Sequence, residues 1–128
     1  MDAFDLIVLI AVFQVKHFVA DYILQGKYML GKFKLVGWEM PLLAHSSVHM
    51  AMTFLIILCY LPVQYALMLA VLDMGIHFVI DRLKVLISRG YDSSKDKEFW
   101  WALGADQMSH HLTHYGIAFA VITIGSSL

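Results

Sequence analysis

Cysteine is almost missing from this 128-residue chain. Cys59 stands alone, which excludes an intrachain disulfide and a cysteine-rich metal site. Charge is scarce too: Asp, Glu, Lys and Arg make up 15%, where a soluble domain carries about 25%. The net charge of -1 says nothing for nucleic acid, and no nucleic-acid partner is expected. There is no glycine-rich phosphate loop, no nucleophile elbow, no repeat at a solenoid period and no low-complexity tract. The opening MDAFD is acidic where a cleavable leader needs basic residues, so none is expected. Apolar residues, by contrast, are in excess. They make up 60% of the chain against about 45–50% in a soluble domain, and mean hydropathy is +0.71. One integral membrane domain, residues 1–128, is the reading.

A bilayer core needs about 20 mostly apolar residues per helix. Four stretches qualify, at about 4–24, 41–61, 63–87 and 99–124. Pro41 suits a first helical turn, and Pro62 marks a short connection that makes the second and third spans antiparallel neighbours. Two longer polar segments, 25–40 and 88–98, separate the rest. Lys27, Lys32, Lys34, Arg82, Lys84, Arg89, Lys95 and Lys97 lie in or beside these two loops. With four spans both loops share one side, and basic loops stay cytoplasmic. The expectation is cytoplasmic loops, both termini external, and a bacterial inner membrane. Trp38, Tyr91, Trp100 and Trp101 fit an aromatic belt on the loop side, and Tyr60 and Tyr65 mark the other boundary or pack in the core.

Polar residues inside these spans recur every four positions. The first span carries His17, Asp21 and Gln25; the second His45 and His49; the third Asp73, His77 and Asp81; the fourth Asp106, His110 and His114. Each set lies along one helical face. At about 1.5 Å rise per residue, all four sets fall in the loop-side half of the bilayer, with Asp73 and His114 deepest. The expected fold is therefore all-α: an integral membrane four-helix bundle with an intramembrane His/Asp cluster.

An Asp at the centre of a membrane helix costs roughly 2.5–3.5 kcal/mol. Four of them, unpaired, would cost on the order of 10 kcal/mol, comparable to a domain's net stability. Divalent metal is the first compensation to weigh, because imidazole and carboxylate are ligands of zinc, manganese and iron. The ligand set is His17, Asp21, His45, His49, Asp73, His77, Asp81, Asp106, His110 and His114, enough for two ions bridged by a carboxylate. A proton or ion path is the second, though the outer halves of the spans are apolar. His–Asp hydrogen bonds between helices are the third, and haem ligation leaves the aspartates unexplained. Lys16 pairs with an Asp or snorkels. The eight methionines fill packing gaps.

The stretches HFVADYILQ (17–25), LLAHSSVH (42–49), HFVIDRLK (77–84) and DQMSHH (106–111), in this order, resemble the bacterial and phage membrane proteins of domain-of-unknown-function family 3307. Residue by residue, the resemblance picks out His17, Asp21, Gln25, His45, His49, His77, Asp81, Lys84, Asp106, Gln107 and His110. Asp73 and His114 rest on spacing alone. The family implies no activity. A weaker likeness to bacterial membrane-bound metal-dependent hydrolases rests on small size, helices and His/Asp content.

The leading expectation is a metal-dependent, dinuclear hydrolase acting on a lipid or lipid-linked substrate from the cytoplasmic leaflet. Zinc is the first choice of metal, manganese or iron the next. Asp21 or Asp106 would be the general base, and Lys27, Arg82 and Lys84 would hold an anionic head group. Gln25, Gln107 and His111 would support the ligands from behind. The rival expectation is a small ion or metal transporter, or a channel component, using the same cluster. A third is a structural or partner-binding protein. Membrane lipids are the expected partners. Gly75, Gly104 and Gly116 allow close helix approach, leaving homo-oligomerisation open.

Overall fold

In hydrocarbon every backbone N–H and C=O must be satisfied within its own segment, so apolar runs of this length fold as helices. The computed structural model describes residues 3–128; Met1 and Asp2, part of the acidic opening, lie outside the described residues. Four long helices form: α1 (Ala3–Phe18), α2 (Glu39–Ile57), α3 (Val63–Ser88) and α4 (Lys97–Gly125). Among the described residues there is no strand. The chain is an all-α four-helix bundle in which α2 packs on α3, α3 on α4, and α1 on both α4 and α2.

Residues Ala3–Ile23, Glu39–Ile57 and Val63–Ser88 form three helices long and apolar enough to cross a membrane. α4 is not among them by composition, because Asp106, Gln107, Ser109, His110, His111 and His114 interrupt it. Its geometry explains this. Asp106, His110 and His114 are buried, while Trp101, Met108, Leu112, Tyr115 and Phe119 face outward. α4 is thus apolar towards its surroundings and polar towards its neighbours, the reverse of a helix in water.

The interior is divided along its length. At the end holding the termini and the 58–62 turn, Leu9, Phe13, Ile57, Leu61, Leu69, Ile117 and Val121 form an apolar core. Tyr60 and Tyr65 pack against it, so core packing is the reading that holds for them. At the loop end the buried residues include His17, His45, His49, His77, Asp81, Asp106 and His110.

Two local features aim the site. Directly after α1 the chain makes a π-helical turn, Val19–Ile23, in which Leu24 N–H bonds to Val19 O at 2.9 Å. The wider turn rotates Asp21 relative to a pure α-helix. In the first loop a short 3₁₀ turn, Met29–Phe33, sits against the start of α2. A Cβ at position 31 would lie 2.8 Å from Pro41 Cγ, so only glycine allows this approach, and it brings Lys32 into the bundle. The second loop turns after α3 at Gly90 (φ 93°). Beyond it Asp92 accepts hydrogen bonds from the Ser94 hydroxyl and amide, which hold its carboxyl below the ordinary carboxylate range.

Candidate metal centre

Asp21 leaves the π turn pointing across the bundle. Its Oδ1 lies 3.0 Å from His49 Nε2, 3.2 Å from His45 Nε2 and 3.9 Å from His77 Nε2. His45 and His49 are one turn apart on α2, so both rings meet this oxygen. His77, from α3, completes the group, with its Nε2 3.2 Å from that of His45. The four donor atoms lie within 4.8 Å of one another. A tetrahedral zinc site with bonds of about 2.0–2.1 Å would place its ligand atoms about 3.3 Å apart. The observed separations bracket that value, and three imidazoles with one carboxylate suit a divalent ion.

A second group adjoins the first. Asp81, Asp106 and His110 bring three donors together, and so do His17, His77 and His110. His110 Nε2 lies 3.2 Å from Asp81 Oδ1 and 3.5 Å from Asp106 Oδ1. His77 and Asp81 connect the groups: His77 Nε2 is 3.6 Å from Asp81 Oδ1, and the His77 and His110 rings stack at 4.1 Å. Eight of the ten sequence-derived ligands therefore fall into these overlapping groups: His17, Asp21, His45, His49, His77, Asp81, Asp106 and His110.

Asp73 and His114 form a separate, deeper layer. Lys16 Nζ donates to Asp73 Oδ2 at 2.7 Å, and the Thr53 hydroxyl donates to the same oxygen at 2.6 Å. His114 stacks on Phe13 and stands 3.8 Å from Asp73 Oδ1. Spacing placed Asp73 and His114 with the ligands. Geometry pairs Asp73 with an ammonium instead, because Lys16 on α1 faces α3 at that height.

The remaining expected residues divide. Gln107 Oε1 is 3.2 Å from His17 Nε2, and its Nε2 donates to Asp106 Oδ2 at 3.0 Å, so it braces both groups. His111 lies beside His17, with ring centroids 5.6 Å apart. Gln25 is beyond the helix end, not on its face, yet it lines the cavity over the cluster. That cavity, about 150 Å³, is also lined by Asp21, Lys32, Asp81, Lys84 and Asp106. Lys84 thus stands at the mouth. Arg82 does not: its guanidinium stacks on Trp38 at 3.9 Å and donates to Lys34 O, fastening the loop. Lys27 lines a different hollow beside Met40 and Pro41.

Lys32 was not singled out by sequence. It is buried, and its Nζ donates to Asp81 Oδ2 at 2.6 Å. Its position in a polar loop gives no periodic signal, and only Gly31 against Pro41 hints at the fold-back. Around the cavity stand three carboxylates, Asp21, Asp81 and Asp106, with Lys32 on Asp81 and Lys84 at the mouth.

Fold and cluster together define a small helical bundle with apolar membrane-length helices and a His/Asp chamber at one end. The chain belongs to the family described as protein of unknown function DUF3307, whose pattern matches residues 8–128 and so includes the whole cluster. No curated protein and no solved structure matches it. The likeness to membrane-bound metal-dependent hydrolases finds no support from these comparisons.

Proposed function

We propose that this protein is an intramembrane metal-dependent hydrolase with a dinuclear centre, acting on a lipid or lipid-linked substrate from the cytoplasmic leaflet. The observation that carries the reading is the convergence of His45, His49 and His77 Nε2 with Asp21 Oδ1. That four-donor set suits one tightly held ion. Asp81, Asp106 and His110 would hold a second with a position open, as catalytic sites require. Zinc fits the nitrogen-rich set; manganese or iron fits the carboxylate-rich one.

When bound, such ions supply a water nucleophile at neutral pH by lowering its pKa to about 7. The chain supplies the rest. Asp106, braced by Gln107, would accept a proton through the oxygen it does not give to the second group; Asp21 is engaged among three imidazoles and suits a ligand better. Lys84, at the mouth, offers a positive charge to an anionic head group, and a phosphoester is the preferred bond. The basic residues at the loop end support a topology with the loops 25–40 and 88–98 in the cytoplasm and both termini outside. On that topology the cavity opens at head-group level.

The rival reading, a metal or ion transporter, draws on the polar column that continues from the cluster to Asp73 and Lys16. The apolar core beyond it gives an ion no further ligands.

Elemental analysis of detergent-purified protein is the first test. About two metal ions per chain are expected, falling to about one or fewer in His49→Ala, together with hydrolysis of an anionic phospholipid that Asp106→Asn abolishes. Absence of metal in the purified protein, after growth in zinc, manganese and iron, refutes the proposal. Metal-dependent flux into liposomes without product replaces it with transport.

A further inference from the structure

A long furrow runs down the outside of the bundle between α3 and α4. Near the loops it widens to a hollow of about 180 Å³, with Ile80, Leu83 and Ile87 facing Ala102, Ala105 and Ser109. Lower down a second hollow of about 300 Å³ lies between Leu72 and Ile76 on one side and Thr113, Gly116 and Ala120 on the other. One wall is bulky aliphatic and the other small apart from Ile117, each stepping by three or four residues along its helix. Ser109 and Thr113 donate to their own helix, to Ala105 O and Ser109 O, so the small wall is apolar in effect.

The upper hollow ends on two residues that also line the chamber mouth, Lys84 and Asp106. Asp106 is 7% exposed, and its Oδ1 takes no hydrogen bond. A furrow that joins a charged chamber to the hydrocarbon region has a chemically specific use. From the Proposed function reading, we infer that it seats the acyl chain of an anionic lipid whose head group reaches the chamber at Lys84. The dimensions agree. From Asp106 to Gly116 is about 15 Å along α4 at 1.5 Å per residue, the depth of one leaflet of a core about 30 Å thick. An apolar furrow that ends on the Lys84 ammonium suits an anionic lipid, and a second copy is the competing occupant that the test separates.

Gly116 allows a clean test. A Cβ there meets nothing within 4 Å, and the same holds for Gly75, which lines a different apolar hollow on α3. Protein is purified from vesicles of mixed phosphatidylglycerol and phosphatidylcholine, and retained lipid is counted by native mass spectrometry. Gly116→Leu should lower retained lipid by about tenfold or more, a shift of about 1.4 kcal/mol, and Gly75→Leu should not. Lys84→Ala should keep the lipid but lose the preference for phosphatidylglycerol. Ala105→Leu repeats the block from the upper hollow should Gly116→Leu fail to fold. Wild-type retention in a folded blocking variant overturns the inference, and so does lipid loss explained by a dimer becoming a monomer. Retention is read without turnover, so the two proposals fail separately. Lipid held by metal-free protein spares the furrow and sinks the hydrolase; metal and turnover with an unaffected Gly116→Leu does the opposite.

Discussion

Replacing Lys16 by Met removes the one ammonium next to Asp73 and leaves the rest of the bundle intact. The pair is sealed: each side chain is 1% exposed, Nζ and Oδ2 are 2.7 Å apart, and Thr53 donates to the same oxygen. Breaking a buried pair by deleting one partner costs roughly 3–5 kcal/mol, because the other charge stays uncompensated. Asp73 cannot turn to water, since the apolar core lies beyond it and the His cluster above. The loss would be a large part of a typical net stability of about 5–15 kcal/mol. Thr53→Val removes only one hydrogen bond, worth roughly 0.6–1.7 kcal/mol inside a membrane protein. The double change Lys16→Met with Asp73→Leu should recover most of the loss, because an apolar pair of similar volume avoids desolvation altogether. The assay is thermal unfolding in detergent, with metal content measured on the same samples. The expected order of stability is wild type and the double variant together, then Thr53→Val, then Lys16→Met, with metal per chain unchanged in the double variant. If the double variant loses metal, Asp73 is a ligand and the division into two layers is wrong. If Lys16→Met is as stable as wild type, the pair is not sealed.

Two further outcomes follow from the cluster. Bound metal should dissociate as pH falls below about 6.5, since protons compete for the imidazole nitrogens; equilibrium dialysis at stepped pH checks this, and pH-independent retention down to pH 4 argues against histidine ligation. Lys32→Met should strengthen divalent-ion binding at the Asp81 group, because it removes the cation nearest that carboxylate; a competition titration against a chelator reads the change, and weaker binding would mean that Lys32 orients Asp81.

Much of this was legible because membrane helices obey few rules. Apolar length marked α1, α2 and α3, and the four-residue steps put His45 with His49 and Asp106 with His110 on buried faces. Three things escaped. The π turn at Val19–Ile23 has no periodic signature, so Gln25 was placed on a helix that has already ended. Lys32 folds back through an irregular loop, where spacing carries no direction. Spacing also fixes a face and a height but not neighbours: Asp73 and Asp81 both meet a lysine, but only Asp81 shares a three-donor group, with Asp106 and His110.

The two polar layers show what hydrogen bonding alone does with a buried carboxylate, and what it leaves undone. In the lower layer Asp73 is resolved pairwise: one ammonium, one hydroxyl, each with a single strong donation to Oδ2. Were the upper layer built on the same principle, each imidazole would serve its own carboxylate. Instead three imidazoles from two helices crowd one oxygen of Asp21, and the Nε2 atoms of His45 and His77 face each other at 3.2 Å. A neutral imidazole carries one N–H and one lone pair. If both facing nitrogens carry hydrogens, the hydrogens collide; if both carry lone pairs, the pairs repel. One proton between them relieves the contact but leaves His49 and His110 competing for carboxylates already shared. A cation lying between the nitrogens and the oxygen would turn the conflicts around Asp21, His45, His49 and His77 into bonds. The same bundle thus meets the buried charge of Asp73 with a lysine and a hydroxyl, and leaves at the mouth a crowd of nitrogen and oxygen donors that a divalent cation would relieve.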